Sequence, residues 1–482
     1  MKVAVVGGGI SGLTIIRKLL SQDEIQHDLT IDLFDKTGDF IVGAPYTKDT
    51  KEAIMNEHAQ DLSIIPEKPD DFLDWLRENH ADYATNDAFV PREYYGGYLF
   101  DRLVRFLESD KVVKHQVAIV DYDTKRLQDE AGQWYEGYDA IFFTIGHPPY
   151  ADYYELEGTP NYINHPVPLE EKLSELDANR PIGIIGTGLT ALDVTKYLLK
   201  TYDLKQPLRL YTNDTTPFKT VKFTRYQGDI HLSFSDEWIR EQADADGFIG
   251  LQTMVDTFLS DLATNGIDIW QLLELYGTGS IDEIRLAIER RDESLGKLRR
   301  YIVMMTIYLS DLYNALTPMD RDRYHNKYER IFNHFRSQIP VESLQVVLEN
   351  LDNGRLEIVT NLEAIMSENN GFVLKTSNGG RYEADYLINC TGFQFDIRKA
   401  LDFDPLIKNL YNREILTPYF RGGAMVTWPH CQIVSSRFGV LPNVYMLGHW
   451  ISKIHYGNNN IHLCIKQAER VADAFIAGIS EG

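Results

Sequence analysis

The sequence predicts an α/β fold in which two Rossmann-like dinucleotide-binding domains carry a helical insertion. Three observations predict it. A glycine-rich motif follows an apolar strand at residues 3–12, a second such motif follows another apolar strand at residues 182–191, and the pattern becomes helical between about 228 and 345. A short apolar strand, a glycine turn and a helix in succession are typical of a parallel βαβ unit.

The first motif begins almost at the start of the chain. Residues 3–6 are small and apolar, which favours a buried strand, and residues 13–20 favour the helix that follows. The spacing G-x-G-x-x-G is formed by Gly7, Gly9 and Gly12, with Ser11 inside it. The first glycine permits a tight turn, the second lets a pyrophosphate approach the backbone, and the third lets helix and strand pack closely. The N–H groups at the start of the helix would then bind the phosphates.

An acidic residue closes the second predicted strand, residues 29–35. Asp35 follows Gly12 by the roughly 20 residues that place a carboxylate on the adenosine ribose of a bound dinucleotide. Asp32 is less suited to this role because it lies inside the strand. The alternative for Asp35 is a solvated acid at the end of a strand.

A second glycine motif strengthens the first. Residues 182–185 and 208–211 are predicted strands. Between them the spacing G-x-G-x-x-A is formed by Gly186, Gly188 and Ala191, ahead of a helix over 192–200. Two such units in one chain commonly hold a tightly bound flavin and an exchanging nicotinamide. The alternative is that one copy is only structural.

Later strands that end in glycine predict how the chain divides. Strands ending at Gly146 and Gly392 would pass the chain between the two nucleotide domains, and a strand ending at Gly448 precedes a polar loop and a helix over 461–479. Gly146 and Gly448 are therefore predicted FAD contacts, and the helix start would face the pyrimidine edge of the flavin. The predicted division is an FAD-binding domain (1–160 and 393–482), an NAD(P)H-binding domain (161–227 and 346–392) and a helical insertion or cap (228–345).

These motifs resemble those of the FAD–NAD(P)-binding family of bacterial flavoproteins, relatives of the flavin-dependent N-hydroxylating and class B monooxygenases. The residues that carry the resemblance are 7–12, 43–46 with Asn56, 69–76, 89–99, 146–149, 186–193 and 334–336. The resemblance implies that residues 56–66 line the flavin, with Arg92 and Tyr98 beside the cofactor. Two positions depart from the family pattern. Ile145 stands where a threonine is usual, and His449 stands where many flavoproteins carry the aspartate of the ribityl chain, which leaves the ribityl partner unidentified.

Several polar residues are candidates for contact with cofactor or substrate. Arg92 opens an aromatic helix after a proline, a setting that suits a phosphate or a carboxylate; the alternative is a surface salt bridge. Asn56 is either a flavin contact or a turn residue. His449 and His455 precede the last helix and are candidates for contact with the isoalloxazine or a substrate. The alternative for both is an ordinary loop histidine.

Basic residues after the second motif bear on the choice of nicotinamide. Lys219, Lys222 and Arg225 follow the strand 208–211 in an otherwise acidic chain, and they favour NADPH by holding its 2′-phosphate. Asp214 would instead favour NADH. A solvated basic loop is the third interpretation.

The helical segment carries a heptad pattern. Ser280 and Glu283 have the spacing of a capping box. Beyond them apolar residues recur every seven positions at Ile288, Leu295, Ile302, Leu309 and Leu316, with a partner series broken at Arg291 and Pro318 as the predicted stop. The pattern is compatible with a coiled coil between copies. We favour packing within the chain, as a cap that shields a reactive reduced flavin from water.

Composition limits the partners and the compartment. The 482 residues include 48 Lys and Arg against 71 Asp and Glu, a net charge of −23, which argues against nucleic acid and anionic membranes. The first apolar run is too short to span a bilayer. The three cysteines form no C-x-x-C, which fits the cytoplasm and excludes a redox dithiol. No histidine spacing resembles a metal site.

The expected function is that of an FAD-dependent NAD(P)H oxidoreductase. The expected reaction is a monooxygenation, in which molecular oxygen and a flavin C4a-hydroperoxide hydroxylate a small molecule. The alternatives are a flavin-dependent dehydrogenase or oxidase without oxygen insertion, and a non-catalytic nucleotide-binding redox sensor. The sequence leaves the substrate and the oligomeric state open.

Overall fold

The protein is described here by a computed structural model that covers residues 1–26, 28–223 and 226–480. The strands, in chain order, are β1 (Lys2–Val6), β2 (Thr30–Phe34), β3 (Val112–His115), β4 (Ile119–Tyr122), β5 (Leu127–Asp129), β6 (Trp134–Tyr135), β7 (Ala140–Phe143), β8 (Tyr162–Ile163), β9 (Ile182–Ile185), β10 (Leu208–Tyr211), β11 (Val221–Lys222), β12 (Ile339–Pro340), β13 (Leu356–Val359), β14 (Leu362–Glu368), β15 (Gly371–Thr376), β16 (Arg381–Ala384), β17 (Tyr386–Asn389), β18 (Gln432–Ser435) and β19 (Gly439–Met446).

The helices alternate with these strands and dominate the middle of the chain. They are α1 (Ile10–Leu20), α2 (Asp23–Gln26), α3 (Asp71–Asn79), α4 (Arg92–Leu107), α5 (Leu169–Lys172), α6 (Leu189–Thr201), α7 (Asp236–Gln242), α8 (Leu251–Thr264), α9 (Ile269–Tyr276), α10 (Ile281–Arg290), α11 (Glu293–Thr306), α12 (Leu309–Ala315), α13 (Pro318–Lys327), α14 (Glu329–Arg336), α15 (Val341–Asp352), α16 (Ile397–Ala400), α17 (Pro405–Asn412) and α18 (Ile461–Ser480).

The first sheet has the strand order β18-β19-β7-β1-β2-β3. All neighbours in it are parallel except β18 and β19. Its central strand β1 is buried from Val3 to Val6, as expected where helices cover both faces of a parallel sheet. The last helix, α18, returns to pack on α1, and ion pairs join Arg17 to Glu469 (2.6 Å) and Lys18 to Asp473 (3.0 Å). The two ends of the chain therefore build one unit.

The second sheet repeats the first. Its order is β13-β10-β9-β17-β8, with every neighbour parallel. In the first unit an antiparallel sheet of β4, β5 and β6 lies between β3 and β7 in the chain, and in the second unit β14, β15 and β16 lie between β13 and β17. The predicted fold class, with two Rossmann-like units, is confirmed. The strands of the two sheets come from the segments that the sequence assigns to two nucleotide domains.

The connections between the two sheets run side by side. Ala151 N donates to Gly392 O (2.9 Å) and Gln394 N donates to Pro149 O (2.7 Å), so the outgoing and returning segments are hydrogen-bonded to each other. The rings of Tyr150 and Phe393 pack at 4.9 Å between centroids. This paired connection lies between the two units.

The heptad series forms several helices instead of one. Helix α10 ends where Arg291 adopts φ +47°, and α11 and α12 follow as separate helices. Helix α12 ends at Ala315, just before Pro318, as predicted, and Pro318 is also the first residue of α13, which Thr317 Oγ1 caps by accepting from Asp320 N (3.1 Å). Leu295 and the other apolar positions from α11 to Leu316 are buried within the chain, which confirms intramolecular packing over an intermolecular coiled coil.

The predicted capping box is half formed. Ser280 Oγ accepts from Glu283 N (3.2 Å), as the spacing predicts. The Glu283 carboxylate, however, accepts from the backbone N–H groups of Thr278 (2.9 Å) and Gly279 (2.7 Å) instead of from Ser280. Across the described part of the chain, no helix is both long and apolar enough to cross a bilayer.

Candidate functional site

The two glycine turns have nearly the same backbone geometry. Gly7 and Gly186 both have φ +110°. Gly7 N donates to Phe34 O (2.8 Å), and Gly186 N donates to Tyr211 O (2.7 Å), so each turn is held by the neighbouring strand. A Cβ at Gly7 would lie 2.2 Å from the carbonyl oxygen of Thr144, and one at Gly186 would lie 2.7 Å from that of Cys390. Both positions therefore require glycine for conformation and for space.

The second glycine of each motif opens a helix toward free space. Gly9 (φ −76°) and Gly188 (φ −77°) are the N-caps of α1 and α6, with no side-chain hydrogen bond capping either helix. A Cβ at either position would meet no heavy atom within 4 Å. The N–H groups at these helix starts are thus available to a phosphate, as the motif predicts.

The third position of each motif provides close packing. A Cβ at Gly12 would lie 2.2 Å from Gly7 O, so the first turn and α1 approach more closely than an alanine would allow. The second motif has Ala191, which is fully buried. Ser11 lies partly exposed in the first turn of α1, beside the same helix start.

Asp35 lies at the first turn. Its Oδ2 accepts from Gly8 N (2.9 Å) and its Oδ1 accepts from Thr37 N (2.9 Å), which fixes the carboxylate beside the expected nucleotide. Asp32 is buried and engaged elsewhere, with Tyr138 Oη donating to it at 2.7 Å and His115 Nε2 at 3.0 Å. The structure thus separates a carboxylate at the turn from one inside the fold.

Gly146 and Gly448 meet at the ends of β7 and β19. Both have positive φ (+79° and +90°), and a Cβ at Gly448 would lie 3.3 Å from Gly146 O. The rings of His147 and His449 stack here, 3.9 Å between centroids and 26° between planes. Burial lowers the pKa of His147 to about 4 and that of His449 as well, yet both side chains stay partly exposed. That combination is expected of neutral imidazoles at a partly buried site.

His455 does not share this position. It is 2% exposed, and burial lowers its pKa to about 3. Its ring lies 5.7 Å from that of Trp428. The structure therefore places this predicted catalytic candidate inside the fold, close enough to His449 to contribute to the lowered pKa of that residue.

Arg92 joins the two units. It begins α4, donates from Nε to Ile54 O (3.0 Å) and pairs through Nη2 with Asp193 Oδ2 on α6 (2.9 Å). Asp193 is buried and also contacts Lys196 (3.1 Å). The contact is neither a free phosphate site nor an exposed surface bridge. Sequence reasoning missed the partner, although Asp193 lies only two residues after the second motif.

The predicted basic patch is divided. Lys222 is 4% exposed at its side chain and pairs with Glu57 (3.1 Å), and its ammonium also donates to the carbonyl oxygen of Asn56. Lys219 stays partly exposed in the loop after β10. Arg225 lies outside the described residues. The expectation that Lys222 holds a 2′-phosphate is corrected by this burial, and Asn56 contributes its backbone to an ion cluster.

The cysteines offer no reactive thiol pair. Burial raises the pKa of Cys431 and Cys464 to about 12 and raises that of Cys390 as well. All three are unpaired thiols. Within the described residues, no group of three metal-ligating side chains is close enough to hold an ion. The two glycine turns and the ends of β7 and β19 instead offer a ligand backbone amides, the carboxylate of Asp35 and the imidazoles of His147 and His449.

Comparison with known proteins supports the first unit directly. Residues 4–148 match a family model described as FAD-NAD(P)-binding, which confirms the resemblance expected from the sequence over that part of the chain. The uncharacterized protein YdhS of Escherichia coli (strain K12) is 26% identical over 216 residues, which are 40% of this chain. The match spans only 38% of the length of that relative.

Solved structures resemble the whole chain. Ornithine hydroxylase (PvdA) from Pseudomonas aeruginosa has a TM-score of 0.61 at 13% identity, with 98% of each chain covered. L-Lysine 6-monooxygenase from Pseudomonas syringae also has 0.61 at 13%, with 98% of this chain and 99% of that one covered. The Kutzneria sp. 744 ornithine N-hydroxylase (KtzI), solved with reduced FAD, NADP⁺ and L-ornithine, has 0.59 at 12%, with 98% of each covered. At these identities the likeness establishes the fold.

Proposed function

We propose that this chain is an FAD-dependent NAD(P)H oxidoreductase, and specifically a monooxygenase that hydroxylates a small molecule. The observation that carries the proposal is the repeated glycine turn, with φ +110° at Gly7 and Gly186 and an open helix start beyond each. One dinucleotide at each turn would bring a flavin and a nicotinamide to the paired connection between the units. The shared fold with ornithine and lysine hydroxylases supports the same assignment.

FAD is assigned to the first turn and NADPH to the second. The match of residues 4–148 to an FAD-NAD(P)-binding model supports the first assignment. Asp35 would accept from the ribose hydroxyls, while the amides from Gly9 to Gly12 hold the pyrophosphate. Lys219, partly exposed after β10, supports NADPH over NADH, as does the NADP⁺ in the KtzI complex.

When bound, the flavin supplies the redox chemistry, accepting a hydride from the nicotinamide and activating oxygen. The protein's own groups bind, orient and exclude water. The neutral imidazoles of His147 and His449 offer nitrogens to a ligand without adding charge. The buried helices α11 and α12 cover the second unit. Amines are the proposed substrate class, because the similar structures are hydroxylases of ornithine and lysine.

Anaerobic titration of the purified protein tests the proposal. FAD should be visible in the absorption spectrum, and NADPH should bleach it more efficiently than NADH. On admission of oxygen, L-ornithine and L-lysine should be screened for hydroxylated product formed in step with NADPH consumption. Bleaching followed only by hydrogen peroxide would identify an oxidase, and an unbleached flavin would favour a redox sensor. Three unpaired cysteines support a reducing, cytoplasmic location.

A further inference from the structure

A buried charge cluster lies where three parts of the chain meet. Glu57 belongs to the segment 56–61 of the first unit, Lys222 lies on β11, and Arg299 lies on α11. Glu57 Oε1 is 3.1 Å from Lys222 Nζ, and Glu57 Oε2 is 2.9 Å from Arg299 Nη2. The exposed fractions of the side chains are 31% for Glu57, 4% for Lys222 and 7% for Arg299. The carboxylate of Glu57 thus forms ion pairs with two buried cations from different parts of the fold.

The electrostatics couple this carboxylate to both cations. Burial alone would raise the pKa of Glu57, but Lys222 and Arg299 outweigh it and hold that pKa at about 2. Burial lowers the pKa of Lys222 to about 8, against the opposing effect of Glu57. Without Glu57, the two buried cations would lose the carboxylate that contacts both of them, and Asp61 would be left as the carboxylate acting on Lys222, which makes the arrangement less stable.

The segment that carries Glu57 also touches the rest of the first unit. Lys222 donates to the carbonyl oxygen of Asn56, next to Glu57. His462, in the first turn of α18, lies at hydrogen-bonding distance from Asp61 O. The segment 56–61 therefore connects the start of the last helix to β11 and to the helical segment. A displacement of it would alter the relative placement of all three.

We propose that Glu57 is a positioning residue that holds the segment 56–61 in register with the second glycine unit and the helical segment, and so sets the rate at which a nicotinamide reduces the flavin. This inference rests on the proposed function, and the segment 56–61 is tied to the predicted flavin site by its contact with the start of α18, the helix that follows the strand ending at Gly448. In the affected step a hydride passes from NADPH to FAD, which oxidises the nicotinamide by two electrons and reduces the flavin by two. Glu57 acts in this step through Lys222 and Arg299, which engage both of its carboxylate oxygens.

The test compares Glu57→Gln with a matched control. Glu52→Gln breaks another ion pair between the two units, Glu52 to Lys200 (2.8 Å), in which the lysine is 54% exposed. Stopped-flow reduction at saturating NADPH should be at least tenfold slower in Glu57→Gln, with FAD content and the Kd for NADPH within twofold of the wild type. Glu52→Gln should reduce its flavin at the wild-type rate. Glu57→Asp, which keeps the charge, should recover part of the lost rate.

Two further measurements keep the outcome decisive. In cofactor-free protein, Glu57→Gln should accelerate amide hydrogen exchange over residues 56–64 at least tenfold and leave β1 unchanged. The reduction rate of the double variant, Glu57→Gln with Lys222→Met, should differ at least tenfold from the rate expected if the effects of the two single substitutions were independent. Wild-type reduction rate and wild-type exchange in Glu57→Gln would overturn the inference. A wild-type protein that binds no flavin would overturn the proposed function, while the exchange measurement still decides the role of Glu57.

Discussion

Replacement of Gly188 by alanine is expected to separate nicotinamide binding from folding. Gly188 has φ −77° and ψ −175°, extended backbone that alanine adopts without strain. A Cβ at this position would meet no heavy atom within 4 Å. The added methyl group would therefore disturb no protein contact and would occupy the space through which a pyrophosphate approaches the start of α6.

The size of the effect follows from the hydrogen bonds that the methyl group prevents. A hydrogen bond from a backbone N–H to a charged group contributes about 1.5–3 kcal/mol. Since about 1.4 kcal/mol corresponds to tenfold in affinity, loss of one such bond should raise the Kd for NADPH about 10- to 100-fold. The NADPH dependence of anaerobic flavin reduction measures that Kd. FAD content and the midpoint of thermal unfolding should stay at their wild-type values.

Gly186→Ala is the matched control, two residues away on the same turn. Its φ of +110° is unfavourable for alanine, which costs about 1–3 kcal/mol, and its Cβ would lie 2.7 Å from the carbonyl oxygen of Cys390. This variant should therefore lose stability as well as NADPH affinity. A Gly188→Ala variant that binds NADPH with the wild-type Kd, or that unfolds as readily as Gly186→Ala, would refute this account of the turn.

Two further predictions concern stability. Arg92→Met removes one hydrogen-bonded partner of the buried Asp193, which keeps Lys196, and should lower the free energy of unfolding in urea by about 2 kcal/mol; an equal loss in Arg77→Met, which breaks an exposed pair, would contradict this account. Burial holds the pKa of both His58 and His455 at about 3, below the ordinary 6.5, so as the pH falls from 6.5 toward 3 the unfolded state binds their protons first. The free energy of unfolding should therefore decrease by about 1.4 kcal/mol per pH unit for each histidine, with a smaller slope in His455→Asn, and a pH-independent stability would argue against neutral buried imidazoles.

The glycine turns could be predicted from the sequence because everything they require is local. Gly7 to Gly12 specify a turn, a helix start and a close contact within six neighbouring positions. The same holds for Ser280, whose hydroxyl caps α10 as the spacing predicts. Such features depend on backbone geometry that neighbouring residues impose.

The ion pairs could not be predicted because their partners are distant in the chain. Lys222 contacts the backbone of Asn56, 166 positions away, and Arg92 contacts Asp193, 101 positions away. A basic residue after a strand suggests a binding site for a phosphate. Tertiary packing, however, can bring a distant carboxylate to that residue, which then forms an ion pair with it instead. The heptad series predicted packing within the chain but not its division into separate helices, the first of which ends where Arg291 adopts a left-handed conformation.

The surroundings of the two turns indicate which nucleotide exchanges. At the first turn Gly8 is buried, and a Cβ there would lie 2.8 Å from Phe40 Cα. At the second turn Gly188 is exposed, and so are Asn213 and Asp214 at the end of β10. The segment around Phe40 thus packs against the first turn, whereas residues beside the second turn are exposed.

This difference matches a resident flavin that is reduced by successive nicotinamides. The protein should therefore retain FAD through gel filtration and lose NADP⁺ in the same step, as absorbance and mass analysis of the eluted protein would measure. Replacing residues 37–41, the segment around Phe40, with two glycines should release FAD during gel filtration. Retention of NADP⁺ with loss of FAD in the unaltered protein would reverse the assignment, because the covered turn would then hold the nicotinamide and the open turn the flavin.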